Sequence, residues 1–217
     1  MRFAFPVVFA TIALSAAGCG PDLVEPVVPV DGRKVLVVPF SERSQASFDS
    51  INGLDLAEAV TVRLTREREA QGDDVPEPIP QAKLQEVLAR VDPSTLKPDD
   101  IGRRAGANLV VAGQLKKFET KRPGDVGILR GTAEAEVRIL DAARTGADGT
   151  LYSGTLVVQY PPTEGFDVDS WGAGATTEIN EEQMRRALVS LLSKEIAQLL
   201  YPHEAEKKTR GAWDVGP

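Results

Sequence analysis

The chain has 217 residues and a net charge of −7, with 32 acidic side chains against 25 basic ones. This acidic balance argues against a nucleic-acid partner and against a surface that holds anionic lipid headgroups by charge. A single cysteine allows no internal disulfide, so a buried core must stabilise the fold, and this length suits one principal domain.

The first twenty residues, MRFAFPVVFATIALSAAGCG, have the layout of a secretory signal peptide. Arg2 provides a basic start, and residues 3–14 form an apolar segment that is too short to span a bilayer as a mature helix. Residues 15–18 are all small, and the single cysteine, Cys19, follows them directly.

The small residues before Cys19 resemble the lipobox of bacterial lipoproteins, in which small residues lead to an obligatory cysteine. Ala16 departs from the pattern, because the family usually has leucine at that position, and here Leu14 lies two places upstream. The resemblance implies removal of residues 1–18 and a diacylglycerol on the sulfur of Cys19, usually with an acyl chain on its nitrogen. Several acyl chains anchor stably, since each buried methylene contributes roughly 0.8 kcal/mol. The alternative is an ordinary cleaved signal that leaves one free thiol, an awkward leftover in an exported protein.

Residues 19–33 contain Pro21, Pro26 and Pro29, which oppose a helix and predict a semi-rigid tether, with a short edge strand over 27–30 as the alternative. The domain itself is predicted to begin at residue 34. An almost continuous apolar run, KVLVVPF, predicts a strand that is buried on both faces of a sheet.

Three helices are predicted next, over 53–70, 81–91 and 98–105, with a proline-interrupted extended segment over 73–80 between the first two. Gly106 is expected to end the third helix at positive φ. A buried run that ends in charge predicts a strand over 109–118. Alternating apolar and polar side chains predict strands over 133–139 and 151–160, with a turn over 141–148. Asn180 with Gln183 predicts a capping box at the start of the last helix.

The predicted order is strand, helix, strand, helix, helix, a three-strand meander and a C-terminal helix. This order indicates an α/β domain over 34–202, in which helices pack on a mixed sheet. Residues 203–217 form a polar tail that is predicted to be disordered.

Three segments together carry a second resemblance: KVLVVPF, IGRRAGANLVVAGQL and AEVRILDAARTGADGTLYSGTL. They resemble, in that order, elements of a superfamily of bacterial envelope domains. Its members include the amino-terminal domain of the Tol-system propeller protein, the curli secretion-channel lipoproteins and the lipoprotein activators of penicillin-binding proteins. The resemblance spans 34 to about 200 and implies a scaffolding or partner-binding role on the periplasmic side of a membrane. Gly20 after the cysteine, in place of aspartate, resembles lipoproteins that are sorted to the outer membrane.

Catalytic groups are sparse in the sequence. The one histidine, His203, follows the last predicted helix, so a Ser-His-Asp or Cys-His mechanism lacks a base in the domain, and a zinc site lacks a second nitrogen ligand. WGAGATT does not follow a strand and has Thr177 at the third glycine position of a dinucleotide loop. Asp167 and Asp169 lack the later ligands of a calcium loop. We therefore expect no enzyme activity, no cofactor and no metal.

The sequence favours two functions over the others. The first is an anchored module that docks onto another envelope protein such as a cell-wall synthase, with the N-terminal lipid in the membrane. The second is a subunit of an oligomeric outer-membrane secretion channel of the curli type. A channel needs inserted hairpins with strands of ~9–11 alternating residues. Two segments are placed where such hairpins could be inserted. KRPGDVGILRG is short and charged, and the loop over 161–178 is rich in Gly and Asp. Neither suits a membrane-inserted hairpin, which favours the module. A relative of this kind can still form a homo-oligomer.

Three features can form the docking surface of such a module. Trp171 is an aromatic anchor of the kind that interfaces favour, although it can equally pin its own loop to the core. Trp213 in the tail is either a short linear motif or without a role. The third feature is the polar face of the predicted meander, which is otherwise an ordinary solvated face: Glu134, Glu136, Arg138, Thr155 and Gln159.

Overall fold

The structure is a computed structural model that describes residues 23–30, 32–42, 50–90, 97–121, 130–144, 149–161 and 180–205. Its helices are α1 (Ile51–Gln71), α2 (Gln81–Leu88), α3 (Pro98–Ala105) and α4 (Glu181–Gln198). Its strands are β1 (Leu23–Val24), β2 (Lys34–Val37), β3 (Ser41–Glu42), β4 (Glu77–Pro78), β5 (Leu109–Glu119), β6 (Gly131–Asp141), β7 (Thr150–Tyr160) and β8 (His203–Glu204). The predicted α/β order of elements is confirmed.

The main sheet has the strand order β4-β2-β5-β6-β7, and β3 also pairs with β5. Strands β4, β2, β3 and β5 pair in parallel, whereas β5, β6 and β7 form an antiparallel meander. The sheet is therefore mixed, as the sequence predicts. Parallel neighbours need crossover helices, and α1, α2 and α3 supply them between β2 and β5.

Helices pack on both faces of the sheet. The long helices α1 and α4 cover one face, where alternate residues of β5, β6 and β7 join a large apolar core with the helix side chains Leu56, Leu64, Leu188 and Leu192. A smaller core on the other face joins Leu36 and Val110 to Leu84 of α2 and Ile101 of α3. The result is three layers, helices on sheet on helices, with unequal outer layers.

Two predicted helix ends are confirmed in atomic detail. At the start of α4, the Asn180 side chain accepts a hydrogen bond from the Gln183 backbone amide at 2.8 Å, and the Gln183 side chain accepts one from the Asn180 amide at 3.0 Å. At the end of α3, Gly106 adopts a φ of 79°, a left-handed conformation that favours glycine over residues with a Cβ.

The predicted tether over 19–33 needs correction. Val28 and Val30 are buried in the larger core, and the Val27 amide donates to the Leu199 carbonyl oxygen at 3.0 Å. Strand β1 pairs antiparallel with β8, which lies inside the segment predicted as a disordered tail over 203–217. Residues 23–30 and 203–204 therefore belong to the folded unit, while residues 206–217 lie outside the described chain.

Candidate interaction surfaces

Several residues that the sequence analysis identifies as candidates lie outside the residues that the structure describes. These are Cys19, Trp171, Trp213, Asp167 and Asp169, so lipidation of Cys19 and a partner contact at Trp171 stay predictions. His203 is described: it lies in β8, where its ring makes an edge contact with Tyr201 at a centroid distance of 6.1 Å and its Nδ1 lies 3.2 Å from the Tyr201 carbonyl oxygen.

Half of one sheet face is left uncovered by the described helices. The helices α2 and α3 have eight residues each, about 12 Å of helix, and they pack over β2, β4 and the beginning of β5. The rest of β5, with β6 and β7, therefore presents its outward side chains away from both helices. We call this surface the open sheet face: Gln114, Lys116, Lys117, Glu134, Glu136, Arg138, Ser153, Thr155, Val157 and Gln159.

Strand register places the predicted polar side chains together on the open sheet face. In the strand register, Glu136 of β6 lies opposite Thr155 of β7, and Glu134 of β6 lies opposite Lys117 of β5. The prediction from the alternating sequence, that one side of the meander is polar, is therefore confirmed. What the alternation does not predict is that α2 and α3 cover the other half of the same face.

The charges of the open sheet face are only partly paired within the described chain. Lys116 binds Glu136 at 2.8 Å, and this hydrogen bond and charge lower the pKa of the Glu136 carboxyl. Glu134 and Arg138 form no ion pair or hydrogen bond with other described residues. A concavity of about 550 Å³ lies on this face beside Glu134 and Thr155. Lys116, Lys117 and Glu119 also line the concavity, and Lys117 binds Glu119 at 3.1 Å. Charged side chains around a concavity can select a partner of complementary charge.

The outer edge of the sheet also has no neighbour among the described strands. Strand β7 is the terminal strand, and no described strand lies beside its free edge. Its sequence, TLYSGTLVVQY, contains neither a charged residue nor a proline. Natural edge strands are usually protected by charge, proline or bulges, and the one irregularity in the register of β7 lies at its beginning. Val157, 56% exposed, adds an apolar contact beside this edge.

A second surface lies on the opposite side of the molecule, between α1 and α4. The two helices run in the same direction, because Asp55 of α1 binds Arg185 of α4 near the start of both. A groove of about 530 Å³ runs between them. We call it the arginine groove, after four side chains in its lining: Arg63, Arg66, Arg185 and Arg186.

Sequence reasoning missed the arginine groove. Two of its arginines lie on the polar face of α1 and two near the start of α4, and in each helix they are compatible with an ordinary solvated surface. Only the side-by-side packing of α1 and α4 brings the four together. A sequence signal existed only as two Arg-containing helix faces far apart in the chain.

The described ranges contain no group of three or more His, Cys, Asp or Glu side chains arranged to hold a metal ion. Within those same ranges, no helix combines the length and the apolar composition needed to cross a bilayer.

The comparisons with known proteins give structural likeness only. No protein-family profile and no curated protein match the chain. Lipoprotein GNA1162 from Neisseria meningitidis is 15% identical, with a TM-score of 0.44 over 76% of this chain and 98% of that one. The PelC dodecamer from Paraburkholderia phytofirmans is 14% identical, with a TM-score of 0.44 over 84% and 97%. A minor lipoprotein from Acinetobacter baumannii is 10% identical, with a TM-score of 0.25 over 79% and 92%. Likeness at these identities and TM-scores carries no argument about function.

Proposed function

We propose that this protein is a lipid-anchored, non-catalytic interaction module that faces the periplasm and holds another protein of the bacterial envelope through its open sheet face. The observation that carries the proposal is the half of the sheet that the described helices leave uncovered. There, the charges of Glu134 and Arg138, which have no ion-pair partner among the described residues, lie on the same sheet as the uncharged free edge of β7. Both features suit a partner better than solvent alone.

Strand addition is the mode of binding that this surface fits. An extended segment of the partner would hydrogen-bond along the free edge of β7 and place alternate side chains over the open sheet face. Main-chain hydrogen bonds would then supply affinity. The charges of Glu134 and Arg138 would select the sequence of the segment, because like charges placed opposite them are unfavourable.

The lipid anchor is proposed at Cys19, in the outer membrane. Leu23 is the first described residue, and it is already paired with Glu204 in the β1–β8 ladder. Only three residues, and therefore four peptide units, separate Cys19 from this ladder, and they span at most about 14 Å. A lipid on Cys19 would therefore hold the domain close to the membrane surface instead of on a long tether.

A non-catalytic role agrees with the position of the one histidine. His203 lies in β8, against Tyr201, and Tyr201 belongs to the core on the α1 and α4 side of the sheet. It is thus on the other side of the sheet from the proposed docking surface. The role assigned to that surface is recognition by shape, charge and backbone pairing.

The anchor is tested by labelling cells with palmitate. The wild-type chain should take up the label, and Cys19→Ser should not, because the thiol that accepts the diacylglycerol is gone. A wild-type chain without label would contradict the anchored form of the proposal.

The docking surface is tested by charge reversal. Glu134→Arg with Arg138→Glu preserves the net charge but inverts the pattern on the open sheet face. Reversed charges opposite a complementary partner should weaken capture from solubilised envelopes at least tenfold, since like-charge contacts are strongly unfavourable. The matched control, Glu69→Arg with Arg104→Glu, exchanges two exposed charges on helices. Equal capture by both double variants would count against the open sheet face.

A further inference from the structure

The arginine groove is a local exception to the acidic character of the chain. Four arginines line one groove of a protein whose net charge is −7. Two acidic residues, Asp55 and Glu67, share the lining. The negative net charge argues against a surface that attracts anions everywhere. The lining of the groove differs from this average, because its cationic side chains outnumber its anionic ones.

The arginines of α4 are held in place by acids. Arg185 binds Glu182 at 2.8 Å and also binds Asp55 of α1, so it bridges the two helices. Arg186 binds the same Glu182, also at 2.8 Å. These two hydrogen-bonded arginines lower the pKa of the Glu182 carboxyl to about 2. The Glu182 carboxylate thus accepts hydrogen bonds from both guanidinium groups and orients them at the rim of the groove.

Arg63 and Arg66 of α1 lack such partners among the described residues. Among the described residues, neither Arg63 nor Arg66 has an ion pair or a hydrogen bond from its side chain. The nearby carboxylate of Glu67 accepts instead from Gln71 Nε2 at 3.0 Å. The Nε of Arg63 is buried without an acceptor. A buried donor without an acceptor is unfavourable, so the described residues leave the Arg63 side chain incompletely satisfied.

Apolar side chains complete the groove. Ala59 and Val62 of α1 and Val189 of α4 line it beside the arginines, and Val62 is 42% exposed. A guanidinium group matches phosphate oxygens with two parallel hydrogen bonds. An apolar wall next to that rim accommodates a hydrocarbon portion of the same molecule. The volume of about 530 Å³ is within the range of small-molecule sites.

At the end lined by Glu67 and Ser193, the groove approaches the C-terminal part of α4. Tyr201 follows α4 and lies close enough to Arg63 and Glu67 for their charges to act on its hydroxyl. The Val27 amide binds the carbonyl oxygen of Leu199, two residues before Tyr201.

We propose that the arginine groove binds a phosphate group carried by an amphiphilic molecule, with Arg63 and Arg66 as its direct ligands. Arg185 and Arg186 add positive charge from the other wall, and Ala59, Val62 and Val189 contact the apolar portion. This site lies on the helical side of the molecule, away from the open sheet face. It goes beyond the interaction function and does not depend on it.

The test uses the full-length lipoprotein in micelles of a neutral detergent, studied by titration calorimetry. The probes are inorganic phosphate, micelles of the same detergent that contain phosphatidic acid, and micelles that contain phosphatidylcholine. Saturable binding of phosphatidic acid is expected, with weaker or no binding of phosphatidylcholine, whose choline group offsets the phosphate charge. Inorganic phosphate should bind at least tenfold more weakly than phosphatidic acid, because it lacks the apolar portion.

Substitutions then locate the site. Arg63→Gln with Arg66→Gln should weaken phosphatidic acid binding at least tenfold. The control, Arg90→Gln with Arg104→Gln, removes the same charge from the α2 and α3 side and should change affinity less than twofold. Arg66→Gln alone, at an exposed position, gives a folded variant if Arg63 proves necessary for stability, and it should still weaken binding several-fold.

If inorganic phosphate binds as tightly as phosphatidic acid, and Arg66→Gln weakens both, the phosphate site stands but its source is a soluble phosphate. The proposal is overturned if no phosphate probe binds saturably. It is equally overturned if the control double variant loses as much affinity as the groove double variant.

Discussion

At the scale of single residues, Gly53 shows how closely the start of α1 approaches the sheet. The Phe40 amide donates to the Gly53 carbonyl oxygen at 3.3 Å, and a Cβ added to Gly53 would lie 1.9 Å from the Phe40 carbonyl oxygen. Both contacts are with backbone, which cannot rotate away as a side chain can. The position therefore requires a residue without a Cβ, whatever the helix propensity of that residue.

Gly53→Ala tests this close approach. Alanine favours a helix interior over glycine by about 1 kcal/mol, but the overlap with Phe40 must move backbone and costs about 1–3 kcal/mol, so we expect net destabilisation. Denaturant unfolding measures the difference. Glu58→Ala, at an exposed position of the same helix, should stay within about 0.5 kcal/mol of wild type. A Gly53→Ala protein more stable than wild type would show that the two backbones are not in contact.

The buried side chain of Tyr201 should make the free energy of unfolding depend on pH in the alkaline range. Burial raises the pKa of Tyr201, the charge of Glu67 raises it further, and Arg63 opposes them. A raised folded-state pKa means that the contribution is fully present below the unfolded value of about 10 and is lost as pH rises through the folded value. Between pH 10 and pH 12, wild type should therefore lose more stability than Tyr201→Phe. Parallel losses in the two proteins would contradict this assignment.

At the scale of elements, the entry segment is part of the core. Val30 is 2% exposed and Val27 is 45% exposed, so two valines three residues apart differ mainly in burial. Val30→Ala should destabilise by about 1–3 kcal/mol, and Val27→Ala by much less, because only the first leaves a cavity. Melts of the two variants give the comparison. If both behaved like wild type, residues 23–30 would be a tether after all.

Helix α4 allows a similar comparison within one apolar stripe. The sequence places Leu188 and Leu191 in the same stripe, but Leu188 is fully buried and Leu191 only partly so. Leu188→Ala should cost about 2–5 kcal/mol and Leu191→Ala clearly less. Chemical denaturation with unchanged slope would provide both values. Equal losses would mean that α4 is rotated about its axis relative to the arrangement described.

These elements show which parts of the fold the sequence predicts. Local chemistry predicts the capping box at Asn180 and the left-handed end of α3 at Gly106, because neighbouring residues determine both. The β1–β8 ladder is not predicted, since two-residue strands from opposite ends of the chain carry no periodic signal. The arginine groove and the half-covered sheet were missed for a related reason, because each depends on how helices pack rather than on the pattern within any one of them.

At the scale of the whole molecule, the two surfaces lie on opposite sides of one sheet. Helices α1 and α4 carry the arginine groove on one side, and the short helices α2 and α3 leave the open sheet face on the other. The N-terminal segment enters beside the end of α4. The two proposed sites therefore do not compete for the same surface.

The central claim, that the open sheet face holds an envelope partner, is tested most directly by photo-crosslinking in intact cells. A photoreactive residue replaces Thr155 on the open sheet face or, as the control, Ala82 on the exposed side of α2. The proposed function predicts a discrete crosslinked species from position 155, absent from position 82 and lost when Glu134→Arg and Arg138→Glu are added. No crosslink at position 155, or the same species from both positions, would contradict it.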